Sequence, residues 1–325
     1  MKSSNEVTVT SSPKTINTLV KDIEDVLLNG AKGVSRDKIQ NFGNLVANTM
    51  YDRLNETKKV FSLRLSNIGS PCVRKLWLDR WVLDGKEPLR ASTKLKFLFG
   101  DLIELLVLFL ADLTGHDVRD QQKERRLHGI LGHSDVTLDG QLVDAKSASS
   151  FSFNKFKHAL KKEDDSFGYL GQLGAYHASS QDDEGVLDKD KASFLVVDKQ
   201  HGHITLDTHE FNHDEIDWEK AISERVSVVN NPDVMPDRAF PEIEDGYVHK
   251  ETKQLIINGN KKLGVNCSYC DQKGNCYGNI RVFLSSKGPV FFTHVVKEPR
   301  MKEASWQDYI NPPAEILEEL VDTVD

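Results

Sequence analysis

Four cysteines constrain this chain more than any other feature. Cys267, Cys270 and Cys276 fall within ten residues, Cys72 stands alone almost two hundred residues upstream, and there is no fifth. The three downstream cysteines, spaced Cys-x-x-Cys-x5-Cys, form a compact ligand loop, and Gly274 and Gly278 let its backbone wrap closely. A metal that needs four thiolates must take the last one from Cys72. Any fold that meets this demand brings the late part of the chain back to the neighbourhood of residue 72. Two groups suit such a site, a 4Fe–4S cluster and a structural Zn²⁺. Zinc sites usually show two short-spaced pairs, and the one-plus-three pattern here favours the cluster.

Setting and composition narrow the reading further. The amino-terminal residues carry no apolar stretch of the kind found in secretory signals, so a cytoplasmic, reducing compartment is expected and disulfides are disfavoured. The longest apolar run, Leu105 to Ala111, is far short of the roughly 20 residues that span a bilayer, so no membrane partner is expected. The 325 residues, 38% apolar and 28% charged, can bury a sizeable core. A net charge of −8 argues against a protein that coats nucleic acid with its whole surface, but it allows a local basic groove. Arg119, Lys123, Arg125 and Arg126 form one basic run, and Lys155, Lys157, Lys161 and Lys162 form a second. Either run alone reads as a solvated face. Flanking the same acidic segment, the two together predict a phosphate-binding track.

Periodicity predicts helices over 15–29, 36–55 and 92–114, and a short helix from Val73 with Cys72 at its mouth. Strands are predicted over 117–127, 131–138 and 141–147, the last two joined by the turn Asp139-Gly140. Helices follow at 150–162 and 168–179, strands at 192–198 and 203–208, a helix at 213–229 and a strand at 290–296. Residues 1–14 read as disordered, 15–91 as a helical region, 92–230 as the central core, 231–299 as a connecting segment with the cysteine loop, and 300–325 as an acidic tail. The order implies a mixed α/β core with helical additions.

Asp144 and Lys146 lie two apart on a predicted strand and so share a face. The Asp-Gly hairpin lays that strand beside the one carrying Asp135. Two carboxylates on adjacent strands can hold a hard divalent cation through oxygen, and a lysine beside it can position a water and offset phosphate charge. Glu104 lies inside the leucine-rich helix four residues after Gly100, where burying a carboxylate is costly without a partner. It reads either as a further ligand or as part of an exposed stripe with Asp101. Gln172 and Tyr176 are spaced i, i+4 and share one helix face.

Gly100-x3-Glu104, Gly132-His133-Ser134-Asp135, Asp144-Ala145-Lys146 and Gln172-x3-Tyr176 occur in that order within residues 100–176. The set resembles the motifs of the RecB-like branch of the PD-(D/E)XK nuclease superfamily. Ser134 stands where the superfamily's name has proline, and Asp144 where glutamate is also common. An isolated cysteine before the nuclease motifs and three after them resemble the iron–sulfur members of that group, namely AddB-type helicase-nucleases, CRISPR-associated exonucleases and phage exonucleases. The segment Ser70-Pro71-Cys72-Val73-Arg74 is similar to the surroundings of their first cysteine.

The resemblance implies a restriction-endonuclease-like core, with a mixed central sheet flanked by helices. It implies Mg²⁺ or Mn²⁺ held by Glu104, Asp135, Asp144 and the carbonyl of Ala145, with Lys146 on the attacking water and Gln172 and Tyr176 steadying the lysine or the DNA backbone. It implies a 4Fe–4S cluster, or in the alternative Zn²⁺, on Cys72, Cys267, Cys270 and Cys276. The implied substrate is DNA with single-stranded or free ends, cut by an exonuclease in the host cytoplasm if the chain is phage-encoded. Homo-oligomers occur in that group. The chain carries no helicase motif. The same motifs also suit a nuclease of CRISPR spacer acquisition, and a non-catalytic nucleic-acid-binding module of this fold is the reading from a different class.

Overall fold

The computed structural model describes residues 14–56, 61–211, 216–286 and 288–310. The segment 1–13, the first residues of the helix expected at 213–229, and the tail from 311 lie outside these. In chain order the helices are α1 (Leu19–Asn29), α2 (Arg36–Leu54), α3 (Leu65–Ile68), α4 (Val73–Trp81), α5 (Ala91–Leu113), α6 (Ser150–Lys157), α7 (Tyr169–Ala178), α8 (Trp218–Asn230), α9 (Val265–Ser268), α10 (Lys273–Tyr277) and α11 (Trp306–Ile310). The strands are β1 (Val118–Arg119), β2 (Lys123–Leu127), β3 (Ile130–Ser134), β4 (Val136–Leu138), β5 (Gln141–Ala148), β6 (Lys191–Asp198), β7 (Ile204–Glu210), β8 (Ile243–Val248), β9 (Leu255–Lys262), β10 (Arg281–Ser285), β11 (Gly288–His294) and β12 (Lys302–Ala304). None of the described helices is long and apolar enough to cross a membrane.

The chain forms two compact units. The first takes residues up to 58, then 95–165 and 173–219; the second takes 59–94, 166–172 and 220 onward. This division is interleaved, unlike the consecutive domains expected from the sequence.

The first unit is built on a mixed sheet of order β1-β4-β5-β6-β7, flanked by helices. Strands β5 and β6 run parallel, and the other neighbours are antiparallel. The turn from β4 to β5 uses Asp139 (φ 49°) and Gly140 (φ 81°), the left-handed pair that a two-residue hairpin needs. Alternation along β5 sends Val143 and Ala145 into a core with Leu19 and Ile23 of α1 and Val107, Leu108 and Ala111 of α5. Asp144, between them in sequence, is turned to the opposite face of the strand. On the parallel neighbour Phe194 is its register partner, and Phe194 packs edge-on against Phe156 of α6 at 5.3 Å between ring centres. Helix α2 is capped at its start by Ser35, whose hydroxyl accepts from the Lys38 N–H at 3.1 Å. The expected long strands 117–127 and 131–138 are each broken, the second at Asp135, and β2 pairs with β3 as a separate ribbon.

The second unit holds an antiparallel sheet of order β12-β10-β11-β9-β8. Two of its strands, β8 and β9, lie within the segment 231–299 that the sequence reads as a connection, where no strand was expected before 290. Residues 243–248 and 255–262 pair as a hairpin whose strand β8 is a sheet edge. Tyr247, Val248, Leu255 and Ile257 are exposed near its tip, so neither face shows the buried-polar alternation that announces a strand. Helices α3 and α4 are tied to α8 by polar contacts to bare backbone. Arg225 donates to the carbonyls of Ile68 (2.8 Å) and Ser70 (2.7 Å), and the Trp77 indole N–H donates to Asn231 (2.7 Å). The turn before Cys72 meets the start of α7 backbone to backbone. A Cβ on Gly168 (φ +79°) would stand 2.0 Å from the Gly69 carbonyl oxygen, so only glycine fits there.

Candidate functional site

The first unit gathers Glu104, Asp135, Asp144 and Lys146. Asp135 occupies the break between β3 and β4, and its Oδ2 accepts from the Ala145 N–H at 2.8 Å. This bond places the Asp135 carboxylate beside the strand that carries Asp144 and Lys146. Asp144 is 2% exposed and forms an ion pair with the Lys146 ammonium. Glu104 lies one turn before the core residue Leu108 on α5, and the Gln122 side-chain amide donates to its Oε1 at 2.7 Å. Gly100 brings the same helix close to the sheet, since a Cβ there would stand 3.7 Å from Ser147 Oγ at the end of β5.

These groups feel one another. Burial pushes the Glu104 carboxyl up to about 7, against the pull of the Gln122 hydrogen bond, with the Asp144 charge adding to the rise. Burial also drives Asp135 well above the usual carboxylate range, helped by the charges of Asp144 and Glu104 and opposed by Lys146. Among the described residues, Glu104, Asp135 and Asp144 crowd one partly dry place, with the Lys146 ammonium beside them. Among the described residues no three His, Cys, Asp or Glu side chains stand ready-made as metal ligands. In this cluster the cation that the carboxylates face is Lys146. The oxygen donors and their surplus negative charge are those a hard divalent ion takes, so the residues fit one.

Gln172 and Tyr176 both lie on α7, as the spacing predicted, and Tyr176 is 3% exposed. The helix straddles the division of the chain, with Gln172 in the second unit and Tyr176 in the first.

The two basic runs fare differently. Arg125 is drawn inside, 4% exposed, where its guanidinium pairs with Asp183 and donates to Ser134 Oγ at 3.1 Å. It is a structural residue, which corrects its place in the expected phosphate track. Lys123 pairs with Asp120 (3.0 Å) and Asp183 (2.8 Å), Arg119 with Asp117 (2.6 Å), and Arg126 with Glu124 (2.8 Å). In the second run Lys157, Lys161 and Lys162 are exposed, while Lys155 donates to the Asp164 carbonyl at 2.8 Å and lies over the Phe151 ring.

The second unit brings Cys72, Cys267, Cys270 and Cys276 to the wall of one pocket. Cys72 is the N-cap of α4, and the other three lie on or beside the short helices α9 and α10. All four are free thiols. Burial pushes the Cys270 thiol up to about 12 and raises Cys267 as well, with the Cys72 sulfur contributing to both shifts. Lys75, Arg238 and Lys273 line the same pocket. The Tyr277 hydroxyl lies 3.5 Å from Cys267 Sγ, and the Arg238 guanidinium sits 4.2 Å from the centre of the Tyr277 ring. Four sulfurs with cations beside them fit a thiolate-held metal group, whose ligands must shed protons to bind and carry net negative charge once bound. Sequence reasoning missed Lys75, Arg238, Lys273 and Tyr277. Lys273 and Tyr277 lie within the cysteine loop or next to it, so the loop itself was the signal, whereas Arg238 is placed only by the fold.

No family model matches the chain, and no curated protein is found similar to it. A solved crystal structure, that of SSO0001, aligns with 71% of this chain and 93% of its own length at 12% identity, with a TM-score of 0.35. A likeness that low carries no argument about fold or activity.

Proposed function

We propose that this chain is a divalent-metal-dependent DNA exonuclease of the RecB-like PD-(D/E)XK type, carrying a structural 4Fe–4S cluster. One observation carries the reading: Glu104, Asp135 and Asp144 converge around Lys146, and burial together with the neighbouring charges raises the carboxyls of Glu104 and Asp135. A purely structural cluster would gain by losing a carboxylate, whereas a cation site needs the surplus charge.

The roles follow from position. Asp135 and Asp144 would hold the ion together with the Ala145 carbonyl, and Glu104 would hold it directly or through water. A bound Mg²⁺ or Mn²⁺ would lower the pKa of water and neutralise phosphate charge. Lys146, two residues along the same strand face, would turn from Asp144 to orient the attacking water and meet the charge that develops on the phosphate. The Ala145 N–H fixes the Asp135 carboxylate so that it need not reorganise on binding. Tyr176, in the same unit as Lys146, would steady the lysine or the strand being cut. Lys157, Lys161 and Lys162 supply exposed positive charge for its phosphates.

In the second unit Cys72, Cys267, Cys270 and Cys276 would hold the cluster. The cluster would tie residue 72 to residues 267–276 and so couple metal content to folding.

The test is degradation of linear and single-stranded DNA by anaerobically purified protein, with Mg²⁺, with Mn²⁺ and with EDTA. Release of nucleotides that depends on the ion is expected. Cleavage that persists under chelation would sink the reading.

A further inference from the structure

Lys273 is an unusual residue to find in the cysteine loop. It is 2% exposed, and its ammonium is held by Glu87 at 2.6 Å. The same nitrogen donates to the backbone carbonyl of Cys270 at 3.0 Å and lies 4.7 Å from the centre of the Phe291 ring and 5.5 Å from that of Tyr309. A buried Lys–Glu pair is weak evidence for stability, because desolvating both charges offsets most of their attraction. A methionine against a neutral partner would fill the place between the two rings at lower cost.

The loop around it shows what the pair holds. All the residues between Cys270 and Cys276 are tied down. Asp271 pairs with Lys75 (3.1 Å) and Lys86 (3.0 Å), and its carbonyl accepts from the Glu87 N–H at 2.9 Å. Gln272 donates to the buried Asp79 at 2.9 Å, and Asn275 donates to the Asp84 carbonyl at 2.8 Å. Gly274 lies against Trp306, where a Cβ would come within 2.9 Å of the ring. Of these residues only Lys273 both lines the thiol pocket and grips the backbone of a cysteine.

We propose that Lys273, anchored by Glu87, is a positioning residue for the four-thiol site. It fixes the Cys270 carbonyl so that the Cys270 sulfur stays at the pocket, and it keeps a positive charge beside the thiolates. This rests on the four-thiol reading above and adds a residue that no ligand spacing reveals. It distinguishes Lys273 from a residue that merely fills space, because a neutral replacement that folds equally well must still hold metal poorly.

The experiment measures iron and zinc bound to the anaerobically purified full chain, then their rate of release to a colorimetric chelator, with thermal melting in parallel. The decisive variant is the double substitution Lys273→Met, Glu87→Gln, which removes both charges and leaves no carboxylate stranded. It is expected to melt within a few degrees of wild type and to release metal at least about tenfold faster, in the range found for groups behind a ligand. Melting and release both equal to wild type would overturn the proposal. Should the double variant fail to fold, Lys273→Arg decides. It keeps the charge and the Glu87 pair but carries a longer planar head that cannot hold the Cys270 carbonyl in the same place. Release severalfold faster is expected, and a wild-type rate overturns the proposal. A wild-type protein with neither iron nor zinc overturns the four-thiol reading itself, before any variant is made.

Discussion

The carboxylate of Asp135 accepts a 2.8 Å hydrogen bond from the backbone N–H of Ala145, the residue between Asp144 and Lys146. The bond explains why the strand breaks at Asp135, since the side chain takes over a partner that a continuous ladder would supply. It also sets charge against charge, because the acid that reaches Ala145 must lie beside Asp144. Asp135→Asn keeps an acceptor for the amide and removes one of the repelling charges. We expect this variant to melt at or above the wild-type temperature in EDTA at pH 8, and to lose the rise in melting temperature that Mg²⁺ gives wild type. Thermal scans with and without Mg²⁺ check this, and an unaltered Mg²⁺ response would remove Asp135 from the ion site.

Glu104 gives the site a pH dependence with a definite sign. Its carboxyl titrates near 7 in the fold, against about 4.5 for an ordinary glutamate, so between those values the folded state binds more protons than the unfolded one. Stability contributed by this group is therefore present below pH 4.5 and is lost as pH rises through 7. Metal-free protein should melt lower at pH 8 than at pH 5.5, and Mg²⁺ should restore more of the loss at pH 8. Glu104→Gln should flatten the profile. A profile that rises over this window in the wild type but not in the variant would contradict the assignment.

Asp144→Ala and Lys146→Ala should each lower the rate of DNA hydrolysis by about 10²–10⁴-fold, the span typical of a lost proton-transfer or charge-stabilising group. Binding to a labelled single strand should change by no more than a few-fold. Lys146→Ala that cuts at a wild-type rate would take the lysine out of the mechanism.

Arg125 and the exposed lysines should separate cleanly. Arg125→Ala strips a buried guanidinium from Asp183 and Ser134, and should cost on the order of 3 kcal/mol in chemical denaturation. Replacing Lys157, Lys161 and Lys162 together by Ala should leave stability within about 0.5 kcal/mol per site. The same change should weaken DNA binding and flatten its salt dependence. A triple variant with an unchanged salt slope would show that the strand runs elsewhere.

What was legible in the chain was its local order. The helices 19–29, 36–54 and 91–113 followed from apolar spacing, and the β4–β5 turn from Asp139-Gly140, because in each case neighbours in sequence decide the outcome. The spacing of the cysteines led to the expectation that Cys72 lies with the late three, and all four line one pocket of the second unit. Other features depend on partners far along the chain. Arg125 looked like a surface cation until Asp183, 58 residues away, took it inside. The strands β8 and β9 escaped notice because Tyr247, Val248, Leu255 and Ile257 face outward, and a pair exposed on both sides leaves no alternation to read. The interleaving of the two units has no local signature at all.

That interleaving shapes how the chain must come into being. The polypeptide passes between the units after residues 58, 94, 165, 172 and 219, so no single cut yields either one as a continuous fragment. On a ribosome Cys72 emerges almost two hundred residues before Cys267. At about 5–20 residues per second, that thiol waits roughly 10–40 s for its companions. The proposed four-thiol site can therefore close only after Cys267 and the cysteines that follow it have been made.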